Sequence, residues 1–187
     1  MKSKYLFVAV ALALMAQACF AGSVKGKVTP GKSVVYLEAA APQMADKTVT
    51  IDQKGLLFQP HVMVVQTGTT VEFLNSDKVQ HNVFWPNISG DKKKGHNMGT
   101  WPQGQKRPFK FTEPGVVTLL CNVHPEMAGY IVVSPTPYFA ETSADGEYDL
   151  ANVPDGQYTI TAWHEGKKVQ SKKITVSGNT TADFTLQ

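Results

Sequence analysis

The chain has 187 residues, a charged fraction of 18% and a formal net charge of +3. That charged fraction is below the usual quarter, and the weak basic balance excludes nucleic-acid binding driven by bulk charge. Threonine, valine, glycine and aromatic residues are plentiful and no long amphipathic helical stretch is visible, so the composition favours an all-β protein.

The first residues have the pattern of an export signal. Lys2 and Lys4 precede the apolar run Leu6 to Met15, which is too short to span a membrane. We therefore predict a signal peptide over residues 1–21. This segment carries two lysines and no acid, so its removal lowers the net charge from +3 to about +1.

Small residues after the apolar run leave two cleavage sites open, after Ala18 or after Ala21. A retained anchor helix is one alternative to cleavage. Lipidation at Cys19 is another, although the preceding Ala-Gln-Ala is a poor match to the leucine-led pattern of such sites. The bacterial style of the segment predicts a periplasmic protein with no transmembrane segment after signal removal.

Period-two alternation of apolar residues predicts short strands along the rest of the chain. In the first part these strands cover residues 23–28, 33–38, 48–52, 61–66, 70–75, 82–85, 108–112, 116–121 and 130–133. A long polar loop is predicted over 86–105, and proline-bearing linkers over 39–44 and 134–137. Five more strands follow at 139–142, 147–151, 157–165, 168–176 and 181–186, a spacing typical of a β-sandwich.

Cysteine usage singles out one side chain. The chain has two cysteines, and Cys19 lies in or next to the predicted signal, which leaves Cys121 in the body of the protein. An exported protein with a single thiol has no disulfide partner in an oxidising compartment. Such a thiol is either buried and inert or protected by a function such as metal ligation.

Three metal donors stand three residues apart at the end of an apolar strand: Cys121, His124 and Met127. A fourth, His81, begins another apolar strand forty residues earlier. Two imidazoles, one thiolate and a weak axial thioether are the ligand set of copper electron-transfer sites. The thiolate and thioether suit Cu(I) and the imidazoles also suit Cu(II), so the set predicts one copper ion that cycles between these states.

Other interpretations of the same donors remain. Zinc prefers four strong ligands or an open water position, and methionine is a poor zinc ligand. A binuclear copper site is ruled out because it needs a second nearby thiolate, and the sequence has none. A cysteine nucleophile with His124 as base needs both groups free and an oxyanion site. The last alternative is an unrelated buried cysteine, surface histidine and core methionine.

Five stretches carry a family resemblance, and they are Phe58-Gln59-Pro60, Gly68 to Asn75, Asp77 with His81-Asn82-Val83, Glu113-Pro114-Gly115 and Cys121 to Met127. Over roughly residues 48 to 134 the chain resembles the cupredoxins, or blue copper proteins, of the plastocyanin type. Its short Cys-x-x-His-x-x-Met spacing is similar to that of amicyanin and pseudoazurin. The resemblance implies a Greek-key β-sandwich with copper under a loop at one end.

The resemblance also assigns roles. It implies that His81, Cys121 and His124 are equatorial copper ligands and that Met127 is the axial ligand. It implies that Asn82 braces the ligand loops and the thiolate from behind the ligands. It further implies that His124 exposes one ring edge in an apolar patch, where redox partner proteins dock and electrons pass.

Weaker candidates lie elsewhere. His61 and His164 are interpreted as structural or surface histidines. His96 and Met98 fall in the long predicted loop, near the expected site, and are interpreted as solvent-exposed, with a second copper or a partner contact as the alternative. The basic cluster Lys92 to Lys94 is interpreted as a solvated loop, with an acidic partner as the alternative.

The last third of the chain resembles a second family. Residues 144–150 and 152–162 are similar to the carboxypeptidase regulatory-like, transthyretin-like β-sandwiches, a resemblance that is informative about fold and almost silent about function. Residues 24–28 and 34–37 resemble the first strands of that family, but here they precede the copper domain.

This order predicts a nested arrangement. Residues 22–40 with 138–187 would form the regulatory-like sandwich, and residues 47–134 would form a cupredoxin domain inserted into it. The alternative is a tandem order, in which the first strands belong to the cupredoxin sheets.

The sequence therefore predicts a periplasmic mononuclear type 1 copper protein that carries single electrons between redox partners. We do not expect an enzyme, because four protein ligands leave no open copper position for a substrate. One alternative is a copper-binding module for storage, delivery or resistance without redox turnover. Another is an interaction protein in which copper is structural.

Overall fold

The computed structural model describes residues 21–38 and 42–187. Nearly all of the predicted signal peptide, its first cleavage site and Cys19 lie outside the described residues. Within them, no helix is long and apolar enough to cross a bilayer.

Alternating apolar and polar residues form seventeen strands in the described ranges, with one 3-10 turn at Lys92–Lys94. The strands are β1 (Ala21–Thr29), β2 (Val34–Leu37), β3 (Thr48–Gln53), β4 (Phe58–Gln59), β5 (Val62–Gln66), β6 (Thr70–Asn75), β7 (His81–Trp85), β8 (His96–Trp101), β9 (Lys106–Lys110), β10 (Gly115–Leu120), β11 (Ala128–Ser134), β12 (Phe139–Glu141), β13 (Glu147–Pro154), β14 (Gly156–Trp163), β15 (Gln170–Val176), β16 (Asn179–Thr181) and β17 (Phe184–Thr185).

Strands β3 to β11 form a first sandwich of two sheets. One sheet has the order β5-β11-β10-β7-β8, and the other has the order β4-β3-β6-β9. Strand β6 shows how the core forms, because Val71 and Phe73 point inward and are fully buried while their neighbours alternate outward. Trp85, Leu119 and Ile131 fill the same apolar core from the opposite sheet.

Strands from both ends of the chain form a second sandwich. One sheet has the order β13-β1-β16, with β17 also on β1, and the other has the order β12-β2-β14-β15. Strand β2 pairs antiparallel with β12 and with β14. Its core contains Val24 and Leu37 from the beginning of the chain and Leu150 and Ile160 from its last third.

The two sandwiches share a third apolar cluster. In β11, Ile131 and Val133 face the first core, while Val132 faces the other way and packs with Val34 and Trp163. Each of these side chains is at least 94% buried. The second sandwich therefore covers the outer face of the β5-β11-β10 part of the five-stranded sheet.

The predicted fold class, an all-β chain with two β-sandwiches, is confirmed. The long loop predicted over 86–105 is wrong in part, because it contains the 3-10 turn and β8. Strand β8 pairs on one side only, with β7, and its burial pattern does not alternate, so it lacks the period-two signal. The Arg107 guanidinium stabilises this edge by donating to the carbonyls of Met98 and Thr100.

Candidate metal centre

Two antiparallel strands place three donor side chains at one end of the first sandwich. His81 begins β7, and Cys121 directly follows the end of the neighbouring strand β10. His124 lies three residues further on, in the turn that leads into β11. We call this end of the sandwich the metal end.

The three donor atoms converge. The Sγ atom of Cys121 lies 4.0 Å from Nδ1 of His81 and 3.9 Å from Nδ1 of His124, and the two Nδ1 atoms lie 3.0 Å apart. His81 and Cys121 are buried, whereas His124 is partly exposed. Among the described residues, this is the one group of three histidine, cysteine or carboxylate ligands with donor atoms close enough to hold a metal ion.

Asp77 fixes the His81 ring from the other side. Its Oδ2 lies 2.9 Å from His81 Nε2 and also accepts a hydrogen bond from the backbone N–H of Leu56, while Oδ1 accepts one from Gly55. Burial raises the pKa of Asp77, but these backbone and imidazole donors outweigh it and hold the pKa below its usual value. When Nε2 carries the proton and donates this hydrogen bond to the carboxylate, the lone pair of Nδ1 is left for a metal.

Asn82 connects the strands that carry the ligands. Its backbone N–H donates to Cys121 Sγ at 3.4 Å, and its Oδ1 accepts a hydrogen bond from the N–H of Asn122 at 3.2 Å. A hydrogen bond to sulfur stabilises the thiolate form of a cysteine. These contacts join β7 to Cys121 and to the residue that follows it.

Strand β8 holds the Asn82 amide in that orientation. Asn82 Nδ2 donates to Asn97 Oδ1 at 2.9 Å and to the carbonyl of Gly99 at 2.8 Å. The register of β7 and β8 shifts between Asn82 and Phe84, and Gly99 has φ +78°, which glycine adopts without strain. Sequence reasoning missed both Asn97 and Gly99 because it placed them in a loop.

Met127 is completely buried and belongs to the same apolar cluster as Cys121. Its backbone N–H donates to the carbonyl of His124 at 3.0 Å, which closes the tight turn between the two residues. The structure therefore places Met127 beside the ligand loop, at the entrance to β11.

His96 does not lie near the converging donors, and that part of the prediction is wrong. His96 pairs with Trp85, whereas His81 pairs with Trp101, so His96 lies at the opposite end of β7. Its ring contacts the Trp85 ring, with 5.3 Å between centroids and a tilt of 40°, and Met98 packs against the first core.

The remaining candidates do not belong to the group of three converging donors. His61 is exposed, with Nε2 2.6 Å from Oε2 of Glu165 in the second sandwich. His164 Nδ1 contacts the backbone carbonyl of Glu165 at 2.7 Å. The turn Lys92–Lys94 is exposed and lies beside Trp85, at the end of β7 opposite His81, because Trp85 Nε1 donates to the Lys94 carbonyl.

The donor set fits a metal ion in chemistry and in spacing. Metal–nitrogen and metal–sulfur bonds of about 2.0 and 2.3 Å place trigonal ligand atoms roughly 3.5 to 4 Å apart. The observed separations of 3.0, 3.9 and 4.0 Å are close to this range. Two imidazoles and one thiolate favour copper over the oxygen-loving cations.

Comparisons with known proteins point to two families. Residues 45–134 match the family described as copper binding proteins, plastocyanin/azurin family, and residues 129–187 match the carboxypeptidase regulatory-like domain. Amicyanin of Paracoccus denitrificans is 31% identical over 96 residues, which cover 50% of this chain and 71% of that protein.

Solved structures give two further matches. A reduced amicyanin variant is 23% identical, with a TM-score of 0.44 over 54% of this chain and 98% of that chain. A copper-containing nitrite reductase from Thermus scotoductus is 28% identical, with a TM-score of 0.43 over 51% of this chain and 24% of that chain.

Proposed function

The chain belongs to the plastocyanin/azurin family of copper-binding proteins, and on that premise we propose that it carries single electrons between redox partners in the periplasm. Family membership confirms the resemblance drawn from the sequence, and copper is the cofactor. The observation that supports the proposal best is the convergence of Cys121 Sγ with Nδ1 of His81 and His124.

We assign His81, Cys121 and His124 as the equatorial ligands and Met127 as the axial ligand. The support for the first three is their mutual distances, and the support for Met127 is its complete burial in the core cluster of Cys121. A trigonal set of two imidazoles and a thiolate with a weak axial thioether is the arrangement of type 1 copper sites.

The copper ion supplies the one-electron couple, and the protein holds its ligands still. Asp77 fixes the ring of His81, and the backbone N–H of Asn82 fixes the sulfur of Cys121. Both ligands are buried in a packed core, so their positions have little freedom to change with the oxidation state. A site whose geometry is the same for Cu(I) and Cu(II) keeps the reorganisation energy of electron transfer low.

His124 is the ligand that reaches the surface, and we propose it as the electron port. It is partly exposed, and the neighbouring Val123 is 48% exposed. Exposed apolar side chains beside an exposed ligand suit a transient contact with a redox partner, because they exclude water without a large interface.

The chain is proposed to be a carrier and not an enzyme. Four protein ligands leave no open copper position at which a substrate could bind, in contrast to catalytic metal sites. Copper storage or delivery is the competing function, and the experiment below distinguishes it.

The nested domain order is also a proposal. We infer that residues 22–40 with 138–187 form one sandwich, into which residues 47–134 are inserted. Its support is the pairing of Val34–Leu37 with Phe139–Glu141 and Gly156–Trp163, which a tandem order does not provide. The periplasmic location rests on the sequence pattern of residues 1–21, and cell fractionation with and without this segment tests it.

An optical redox titration of the copper-loaded protein tests the function. An electron carrier is expected to show an intense thiolate-to-copper band in the visible region that bleaches and returns reversibly as one electron is added and removed. A colourless protein that binds only Cu(I) would support copper storage or delivery and would overturn the proposal.

A further inference from the structure

The second sandwich lies along the outer face of the five-stranded sheet, from one end of the first sandwich to the other. Strands β5 and β11 run parallel, and β11 begins directly after Met127, at the metal end. The linkers meet at the other end of these strands, where the N–H of Gln43 donates to the Pro135 carbonyl. The interface cluster of Val34, Val132 and Trp163 lies between the two ends.

The loop formed by residues 164–169, between β14 and β15, lies at the metal end. Its Glu165 carboxylate contacts His61 Nε2 at 2.6 Å, and the carbonyl of His61 accepts a hydrogen bond from the N–H of Tyr130 at 2.8 Å. Tyr130 is three residues beyond Met127, which is about 10 Å along an extended strand. The 164–169 loop therefore lies beside the ligand loop and away from the linkers.

This loop carries exposed positive charge. Lys167 and Lys168 are exposed, and within residues 21–38 and 42–187 neither takes part in an ion pair. The acidic side chain of the loop, Glu165, is engaged by His61. Two further exposed lysines lie at this end. Lys54 precedes Gly55, whose N–H donates to the Asp77 carboxylate, and Lys78 follows Asp77.

The same end exposes apolar side chains. Leu57, Val79 and Val123 are 54%, 46% and 48% exposed. Leu57 lies between β3 and β4, Val79 lies between β6 and β7, and Val123 lies in the ligand loop. Hydrogen bonds to or from the side chains of Asp77, Asn75 and Asn82 connect these three loops. The ligand loop also exposes one carboxylate, Glu126, against four exposed lysines at this end. An apolar centre with mainly basic side chains around it is the pattern of a surface that attracts an acidic partner and then excludes water from the contact.

We propose that Lys167 and Lys168 of the second sandwich form part of the docking surface for the redox partner. The partner that fits is a protein that presents carboxylates around an apolar centre. The proposal rests on the proposed electron-carrier function and gives the second sandwich a role in it. A transient electron-transfer interface buries less than about 600 Å² per partner and is up to roughly 28 Å across, so a partner that covers His124 and extends over β11 and β5 reaches the 164–169 loop.

Adsorption to a defined surface tests this proposal. The probe is a gold film coated with a mixed layer of methyl-terminated and carboxylate-terminated thiols, which reproduces the chemistry proposed for the partner. The full copper-loaded chain is compared with the double variant Lys167→Glu/Lys168→Glu. The matched control is Lys92→Glu/Lys93→Glu, which makes the same change in net charge at the opposite end of the first sandwich.

At low ionic strength, the Lys167→Glu/Lys168→Glu variant is expected to adsorb at least about tenfold more slowly than the wild type, and the control to change by less than about threefold. The difference is expected to disappear near 1 M salt, where the screening length is about 3 Å. Equal losses in the two variants would mean that net charge alone drives adsorption and would overturn the proposal. No loss in either variant would do the same.

Voltammetry of the adsorbed protein separates this proposal from the electron-carrier function. The wild type is expected to exchange electrons with the gold faster than the Lys167→Glu/Lys168→Glu variant, because docking at the metal end brings His124 towards the surface. Visible spectra and solution potentials of both variants are expected to match the wild type. A wild type without a reversible couple would overturn the electron-carrier function, while the adsorption comparison would still decide the docking surface.

Discussion

The side chain of Asn97 holds the side chain of Asn82, with Asn97 Oδ1 accepting a hydrogen bond from Asn82 Nδ2 at 2.9 Å. Asn97 Oδ1 also accepts from the N–H of Gly99, so its own position is fixed by the β8 backbone. Asn82 in turn contacts Cys121 Sγ and the N–H of Asn122. A polar edge strand thus fixes the orientation of the side-chain amide that holds the N–H of Asn122, the neighbour of the proposed ligand Cys121.

Replacement of Asn97 with Ala is expected to loosen this brace. The Asn82 side-chain amide then loses one of its two acceptors, so its Oδ1 holds the N–H of Asn122, next to Cys121, less firmly. Hydrogen-bond partners of metal ligands typically contribute 10-fold to 100-fold to metal affinity, and we expect a loss of up to about tenfold for this more remote residue. Copper competition titrations measure the affinity, and hydrogen exchange of the Asn122 amide reports on the loop.

The matched control for Asn97 is Asn87→Ala. Asn87 Oδ1 accepts a hydrogen bond from the N–H of Gly90 in a turn after Trp85, at the opposite end of β7. The control is expected to leave copper affinity and Asn122 exchange unchanged. Equal behaviour of the two variants would contradict a positioning role for Asn97.

Replacement of Met127 with Gln tests the axial ligand. An amide oxygen is a harder donor than a thioether, so it stabilises Cu(II) over Cu(I) and is expected to lower the reduction potential. A change of more than about 59 mV would correspond to more than a tenfold shift in the equilibrium between the two states. Redox titration measures it, with Met63→Gln on β5 as a control. An unchanged potential in Met127→Gln would argue against axial ligation.

The sequence predicted the apolar strands and the ligand spacing, because both depend on residues that are close together in the sequence. Val71 and Phe73 alternate with more exposed residues along β6, and Cys121, His124 and Met127 lie within seven consecutive residues. The all-β class and the copper family could therefore be predicted before the structure.

The sequence did not predict the contacts of β8 or of the interface. Asn97 faces Asn82 only because a register shift lies between Asn82 and Phe84, and a bulge of this kind leaves no periodic signal. Likewise, nothing local indicates that Trp163 packs on Tyr130, with 5.3 Å between the ring centroids, since the two belong to different sandwiches. Such long-range pairs require the fold before they can be identified.

Asp77 is expected to stabilise the site even without copper. Its carboxylate accepts hydrogen bonds from the backbone N–H groups of Gly55 and Leu56 and faces His81 Nε2. In Asp77→Asn, an NH₂ group replaces one carboxylate oxygen, so at least one of these donors loses its acceptor. The His81 ring is completely buried, and an unpaired buried donor costs about 1 to 3 kcal/mol in free energy of unfolding. Urea denaturation of the copper-free protein measures this loss. The exposed turn residue Asp145 supplies the control Asp145→Asn, and equal stabilities of the two variants would contradict the expectation.

Trp163→Ala is expected to weaken the contact between the sandwiches. The side chain is 94% buried and packs with Val34 and Val132, so truncation leaves a cavity in the interface cluster. Comparable substitutions cost about 3 to 5 kcal/mol. Thermal unfolding followed by calorimetry measures the loss, with the exposed Val169→Ala as a control. A Trp163→Ala protein as stable as the control would mean that the interface contributes nothing to folding.

The contact between His61 and Glu165 is expected to make this interface sensitive to acid. The hydrogen bond from His61 is the main cause of a lowered pKa for Glu165, with a smaller contribution from Tyr130, and both outweigh partial burial. A carboxyl whose pKa is lower in the folded state stabilises the protein above its ordinary pKa, and this stabilisation is lost as the pH falls through the folded value. Glu165→Gln should therefore be less stable than the wild type near neutral pH, and the difference should vanish in acid. Because both partners are solvent-exposed, we expect a difference of no more than about 0.5 kcal/mol in free energy of unfolding. Unfolding free energies of the two proteins between pH 7 and pH 3 measure it, and a difference that is constant over this range would exclude the Glu165 carboxylate as its source.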